Sequence, residues 1–397
     1  MLMLVVAVLA AQAPEADGGT PDTTQAPDAG SGLPFGLKLD ARFGDGATLG
    51  KDDFELTLRA RVQVLYSSQL PERNPDEDRF NSFEVRRARL LLTTRLPYHL
   101  STYMQLSFAN RDMEPDQPNV LRDFYVDWRR FRDVSIRLGQ FKVPFDVQRQ
   151  VSSSALQLVG RSFVTEELNL ERDIGLAVFS DDLLGLGKRL KYSVAVMGGD
   201  GRNRIGTNPG LMFVGRVVIS PLGEFNEREE GDPDREKRVR FAIGAALARN
   251  NDTPRPRSTE EDPYEFSTFS YTHATIDFHF KAYGFSLLAQ GFLRDADRDF
   301  NVSQDGTKTE WSRSGLGWFV QGGAYVLDWL ELVARYGDLR PYATTDPNFI
   351  RQRELGGGIN FMVQQHDLKL QLDYFWIDDG FFGAGRHLLR AQAQVFF

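Results

Sequence analysis

The chain has 397 residues, no cysteine, 26% charged residues, a formal net charge of -8 and a mean hydropathy of -0.37. No run approaches the roughly 18 apolar residues that a membrane-spanning helix needs, which excludes a helical membrane protein. Without cysteine there is neither a disulfide framework nor thiol chemistry, and 12% aromatics with 30 Phe favour a chain of many strands.

Leu2 to Ala11 form a short apolar run ending in small residues, as the core and cleavage region of a secretory signal do. The usual basic stretch before it is missing, and Pro14 favours cleavage near Ala10 or Ala11 over Ala13. Residues 1–11 are therefore expected to be a signal peptide. Pro, Ala, Asp, Gly and Thr then dominate to about Gly32, too polar to pack, so residues 12–52 are expected to be a disordered periplasmic leader.

From Phe54 the dominant signal is period two. Phe54, Leu56, Leu58, Ala60, Val62, Val64 and Tyr66 share one face, and Glu55, Thr57, Arg59, Arg61 and Gln63 the other. The same pattern predicts strands near 54–66, 83–96, 99–109, 122–130, 134–141, 173–180, 189–197, 211–220, 238–249, 271–280, 284–294, 313–326, 330–338, 353–363, 368–377 and 387–397. One such strand suits a soluble sandwich as well as a barrel, because the oily face can meet a second sheet or lipid. Sixteen of them, with tight turns such as Pro97-Tyr98, Leu327 to Trp329 and Gln364 to Asp367 alternating with long polar loops, suit a barrel. The expected fold is thus an all-β transmembrane antiparallel barrel over residues 53–397, in the outer membrane of a Gram-negative bacterium. The connection from Pro221 to Lys237, long and charged where a short turn is expected, breaks the alternation.

Leu389, Ala391, Ala393, Val395 and Phe397 alternate with Arg390, Gln392 and Gln394. An aromatic at the end of an amphipathic last strand resembles the signal by which such barrels are recognised for insertion. Trp128, Trp329 and Trp376, near strand ends, suit interfacial girdles.

Several local patterns follow one another in order. Phe83-Glu84-Val85-Arg86-Arg87-Ala88-Arg89-Leu90 precedes Leu121-Arg122-Asp123-Phe124-Tyr125-Val126-Asp127, then Gly139-Gln140-Phe141-Lys142-Val143-Pro144-Phe145. Arg161-Ser162 and Glu171-Arg172-Asp173-Ile174-Gly175 come after them. This order resembles the phosphate-selective porins O and P, most specifically over residues 83 to 180. The resemblance implies a sixteen-stranded barrel, commonly a homotrimer, whose third external loop, here Val143 to Arg172, folds inward and narrows the pore.

A pore selects ions by the charges at its constriction, and arginine's planar fork suits phosphate oxygens. Strand parity turns Arg59, Arg61, Arg87, Arg89 and Arg137 inward, with Arg216, Arg335 and Lys369 further round, an expected anion path. Asp123, Asp127, Glu331 and Asp373 are also inward and would turn such arginines into wall braces. Only nine of the 47 basic residues are lysine, whereas the phosphate-specific members add lysines to their arginine ladder.

No catalytic motif appears, so an enzyme is not expected. His99, His273, His279, His366 and His387 lack metal-ligand spacing, and Gly185-Leu186-Gly187-Lys188 lacks the rest of a phosphate-binding loop. Asp295, Asp297, Asp299, Asn301 and Asp305 alternate as calcium loops do, but Phe300 occupies the glycine position, so a solvated acidic loop is the better reading. Neither cofactor, metal nor nucleic-acid partner is expected. The expected function is passive diffusion of small hydrophilic solutes, led by anions such as phosphate or polyphosphate. A general unselective porin and a plugged structural or adhesive barrel remain alternatives.

Overall fold

The computed structural model describes residues 37–71, 79–113, 119–204, 210–378 and 385–397. The expected signal peptide and most of the expected leader lie outside them. Two short strands come first, β1 (Lys38–Arg42) and β2 (Gly46–Lys51). Then follow β3 (Phe54–Pro71), β4 (Phe80–Leu96), β5 (Leu100–Ser107), β6 (Leu121–Trp128), β7 (Ser135–Lys142), β8 (Arg172–Ser180), β9 (Leu190–Met197) and β10 (Met212–Ile219). The second half holds β11 (Arg240–Thr253), β12 (Phe269–Ala282), β13 (Phe285–Ala296), a small external hairpin of β14 (Phe300–Val302) and β15 (Thr309–Trp311), then β16 (Gly315–Leu327), β17 (Leu330–Pro341), β18 (Gln352–Gln364), β19 (Leu368–Asp378) and β20 (Arg386–Phe396).

Apart from β1, β2, β14 and β15, every strand pairs antiparallel with its sequence neighbours, and β20 pairs back onto β3, closing a ring of sixteen. Each strand predicted from period two is present. The two faces are those of a protein turned inside out. Val64, Phe83, Val85, Leu138, Phe213, Leu247, Ile276 and Leu355 are exposed, while Gln63, Gln105, Asp127, Asp277, Gln321, Glu331 and Gln371 are buried. A soluble sandwich would bury the first set; a barrel in lipid exposes it and hides the second in its lumen.

The expected leader boundary needs correction, because residues 38–51 of that segment are sheet. Strand β20 reaches only to Arg61 of β3, so the first residues of β3 overhang the seam. Strand β2 fills that lane, pairing Ala47 with Leu58 through Lys51 with Phe54, and β1 covers β2. An open strand edge of unpaired amides is thereby closed. At the seam itself Phe397 and Ala60 exchange backbone hydrogen bonds of 2.5 and 2.9 Å.

Two connections that pack into the lumen from opposite ends position the site. The external loop between β7 and β8 carries short helices α1 (Val147–Gln150) and α2 (Phe163–Leu168). Its Val143, Phe145, Val147, Val164, Leu168 and Leu170 are buried against Ala195, Met212, Ala246, Leu288 and Phe319 of the wall. The second is the anomalous 221–239 connection. It folds inward from the periplasmic end, with Phe225 seated between Val218 and Ala242.

Gly139 lets β6 and β7 approach beside the loop: its φ is +134°, and a Cβ there would lie 2.2 Å from the Phe124 carbonyl oxygen. Gly139→Ala is expected to cost about 2–3 kcal/mol, the range for strained backbone. The loss would be read as a lower urea midpoint for the heat-modifiable barrel, and an unchanged midpoint would contradict this account.

Candidate functional site

The in-folded loop divides the lumen unequally. Its apolar residues fasten it to the wall from β8 to β17, and polar contacts fasten it further round. Arg335 donates to the carbonyl of Gly160 at 2.9 Å, Lys369 to that of Leu156 at 2.8 Å, and Asn360 to that of Gln157 at 2.6 Å. What is left open lies between the loop and the wall of β3 to β8, a cavity of about 1090 Å³.

That cavity is strongly basic. Sixteen Lys and Arg side chains line it against eight Asp and Glu, in a chain whose net charge is -8. Many cavity arginines are neutralised by near neighbours. Arg89 meets Asp112, Arg122 meets Asp112 and Glu171, Arg172 spans Asp123 and Glu171, and Arg137 grips Asp127 through two bonds of 2.7 and 2.8 Å. Arg137 also lies 3.9 Å above the Tyr125 ring, a further anchor for its fork.

Three cavity arginines have only neutral partners among the described residues. Arg61 donates to Ser152 and Ser153 at 3.2 and 3.1 Å, Arg87 to the Gln63 side-chain oxygen at 2.7 Å, and Arg161 to the carbonyls of Gln148 and Val151 at 3.0 and 2.9 Å. Burial and the neighbouring Arg149 lower the Arg161 guanidinium to about 10, still cationic at neutral pH. These groups keep donors for a passing anion, and buried cations without acids gain from one.

The eight basic residues singled out by parity separate into three groups. Arg61, Arg87, Arg89 and Arg137 line the cavity. Arg216 and Arg335, ion-paired to Asp277 and Glu354, and Lys369 hold the loop from the far wall, Arg216 through the carbonyl of Phe145. Arg59 braces the periplasmic base, contacting Asp367 and the carbonyl of Gly44 and stacking 3.8 Å over Phe396. Of the expected neutralising acids, Asp123 and Asp127 face the cavity, while Glu331 bonds Gln157 of the loop and Asp373 bonds Arg390 and the Val159 amide.

Parity alone misses Arg86 and Arg122. Each is the extra residue of a β-bulge: Gln63 pairs with Arg87 and Val64 with Val85, and Gln105 pairs with Asp123 and Leu106 with Leu121. The bulge turns both side chains inward beside their neighbours, Arg86 to the carbonyl of Val159 and Arg122 to Glu171. Charged doublets inside otherwise alternating strands, Arg86-Arg87 and Arg122-Asp123, are the signal that could have revealed them.

The family described as phosphate-selective porin O and P matches residues 56–224, the barrel from β3 to the start of the in-folded periplasmic connection. Solved structures agree on the fold of the whole barrel. The outer membrane channel DcaP of Acinetobacter baumannii is 13% identical, with a TM-score of 0.58 over 88% of this chain and 99% of that one. An anion-selective porin from Comamonas acidovorans is 12% identical, TM-score 0.55, over 87% and 100%. The trimer form of OmpT of Vibrio cholerae is 8% identical, TM-score 0.55, over 87% and 100%. No curated protein sequence matches the chain. Both the matched family and the shared fold are those of outer-membrane porins, channels for small solutes.

In this barrel the two in-folded segments meet at one carboxylate. Glu230 of the periplasmic connection, almost fully buried, accepts from Gln148 at 2.9 Å, the Gln157 amide at 2.8 Å and the wall residue Gln321 at 2.9 Å. Its own carbonyl takes the Nε2 hydrogen of His279 at 3.0 Å. Glu230→Ala leaves these buried donors without an acceptor, a loss of about 2–4 kcal/mol. The expected result is a folded barrel of lower thermal stability whose mean conductance rises as the loop loosens. Unchanged conductance would show that Glu230 does not position the loop.

Asp146 caps α1, accepting from the Arg149 amide at 2.7 Å, while its other oxygen is buried without a partner. Burial raises this carboxyl to about 6. A carboxyl whose folded value exceeds its unfolded one holds an extra proton in the native state between the two. Its contribution to stability is therefore fullest below about 4 and is lost as pH rises to about 6. Asp146→Asn keeps the cap without the charge. Melting temperatures measured from pH 4 to 7.5 should show the variant more stable at the upper end, by an amount on the order of 2 kcal/mol, with a flatter profile.

Proposed function

We propose that this porin passes small hydrophilic anions by passive diffusion, with phosphate or polyphosphate as the leading class. The observation that carries the reading is the charge of the cavity, sixteen cationic side chains against eight carboxylates in a chain that is acidic as a whole. Arg61, Arg87 and Arg161, with neutral partners, are the anion contacts we assign. A guanidinium fork matches phosphate oxygens and is weakly hydrated, so it exchanges an anion without a large desolvation cost. The family match and the anion-selective barrel of Comamonas acidovorans add support. A homotrimer is proposed on the likeness to the trimeric OmpT.

A general porin of little selectivity is the second reading. It is favoured by the acids already engaged with Arg89, Arg122, Arg137 and Arg172. Current in planar bilayers under a potassium chloride gradient separates the two. An anion-biased reversal potential, with chloride current blocked by millimolar phosphate, is expected. The Arg61→Ala, Arg87→Ala double variant should lower the chloride to potassium permeability ratio by about threefold or more, as loss of two lining charges implies. An unselective, unblocked conductance would support the general porin, and no conductance a plugged barrel.

A further inference from the structure

The in-folded 221–239 connection does more than support the external loop, because it carries one arginine into the conducting space. Beneath the basic cavity lies a smaller one of about 270 Å³, lined by Glu55, Thr57 and Arg95 near the periplasmic ends of β3 and β4. The two cavities share Thr93, Ser101, Asp127, Arg129 and Arg228, so solute leaving one for the other passes these side chains. Arg228 alone among them comes from the periplasmic connection.

The charges of the smaller cavity do not balance. It holds three arginines and two carboxylates. Arg95 pairs with Glu55 at 2.9 Å, and Arg129 pairs with Asp127 at 3.0 Å and with Asp181 at 2.8 Å. Arg228 has no carboxylate within ion-pair distance among the described residues, and its side chain is exposed. Its neighbours are nonetheless fixed. Glu227 is held by Lys191 at 2.6 Å, Glu229 lies 2.8 Å from His366, Lys281 donates to the carbonyls of Asn226 and Glu229 at 3.0 and 2.7 Å, and Glu230 is the junction described above. A backbone clamped on both sides of a single uncompensated guanidinium is a built position for charge, unlike a loop arginine free to drift.

We propose that Arg228 is a selectivity residue at the periplasmic exit, a second anion filter in series with the arginines of the main cavity. The inference rests on the anion-path reading above. A lone cation at a narrow aqueous mouth raises the local concentration of anions and lowers that of cations. Each ion must then pass two basic zones, and the exit zone is set by a segment delivered from the periplasm.

The chain has no cysteine, so Arg228→Cys offers a single reactive thiol on an otherwise native barrel, with folding checked by heat-modifiable migration. In planar bilayers under a potassium chloride gradient, the substitution is expected to lower the chloride to potassium permeability ratio by about threefold, the effect of one partly screened charge. A cationic methanethiosulfonate should restore the ratio, and an anionic one should depress it below that of the unmodified variant. Arg228→Lys should behave as the wild type. If the wild-type porin favours anions and neither the substitution nor either reagent moves the reversal potential, the exit filter is refuted while the anion path stands. If the wild type is unselective yet the reagents shift the potential according to their charge, the anion path fails and the exit position of Arg228 is upheld. Wild type without selectivity and reagents without effect would overturn both.

Discussion

A ring of sixteen strands encloses more space than its inward side chains can fill, so what passes is decided by whatever else occupies the lumen. Here segments from opposite ends enter it, and two of them meet where Glu230 accepts from Gln148, Gln157 and Gln321. That junction ties the external loop, the periplasmic connection and the wall into one body. The open cavity stays on the side of β3 to β8, because the other side is filled by the apolar seat of the loop. Such a buried acceptor is stabilising only while all its donors are in place, which makes the arrangement specific as well as strong.

The charge pattern follows from that division. Where the loop presses on the far wall, Arg216, Arg335 and Lys369 spend their donors on the backbone or acids that hold it. Where the lumen stays open, Arg61, Arg87 and Arg161 meet only serine, glutamine and carbonyl oxygens. Bracing and anion contact, which are alternatives for any one arginine read from sequence, are thus carried out by different arginines of the same barrel. The overall negative charge of the chain does not bear on the path, since screening limits distant charges to about a Debye length.

The barrel was legible because period two is a local property: each strand announces which residues face lipid, and the alternation of short and long connections orders them. The inward loop was legible only through its resemblance, since nothing in the composition of residues 143–172 distinguishes a loop in the lumen from one in solvent. Bulges escaped for a physical reason. One extra residue shifts parity for the remainder of the strand, so Arg86 and Arg122 face the lumen beside Arg87 and Asp123. The junction at Glu230 was beyond reach, because its partners lie 73 to 91 positions away in sequence. Polar residues in a long turn look the same whether solvated or engaged. The hairpin of β1 and β2 was missed because its strands are short and Gly-bearing, with no apolar face of their own, and are held by the overhang of β3 rather than by their own pattern.

That overhang has a consequence for how the seam is held. The lane that β2 occupies lies directly in line with the end of β20, while the two-residue turn between Lys51 and Phe54 makes β2 and β3 a local hairpin. The hairpin of β1 and β2 adds hydrogen bonds to the strand that carries the seam, and Arg59 links it to the turn at Asp367. A seam joining the two ends of the chain is the place where a barrel would first part. In this protein the residues that precede the barrel act as a clasp beside it, extending the sheet past the end of β20.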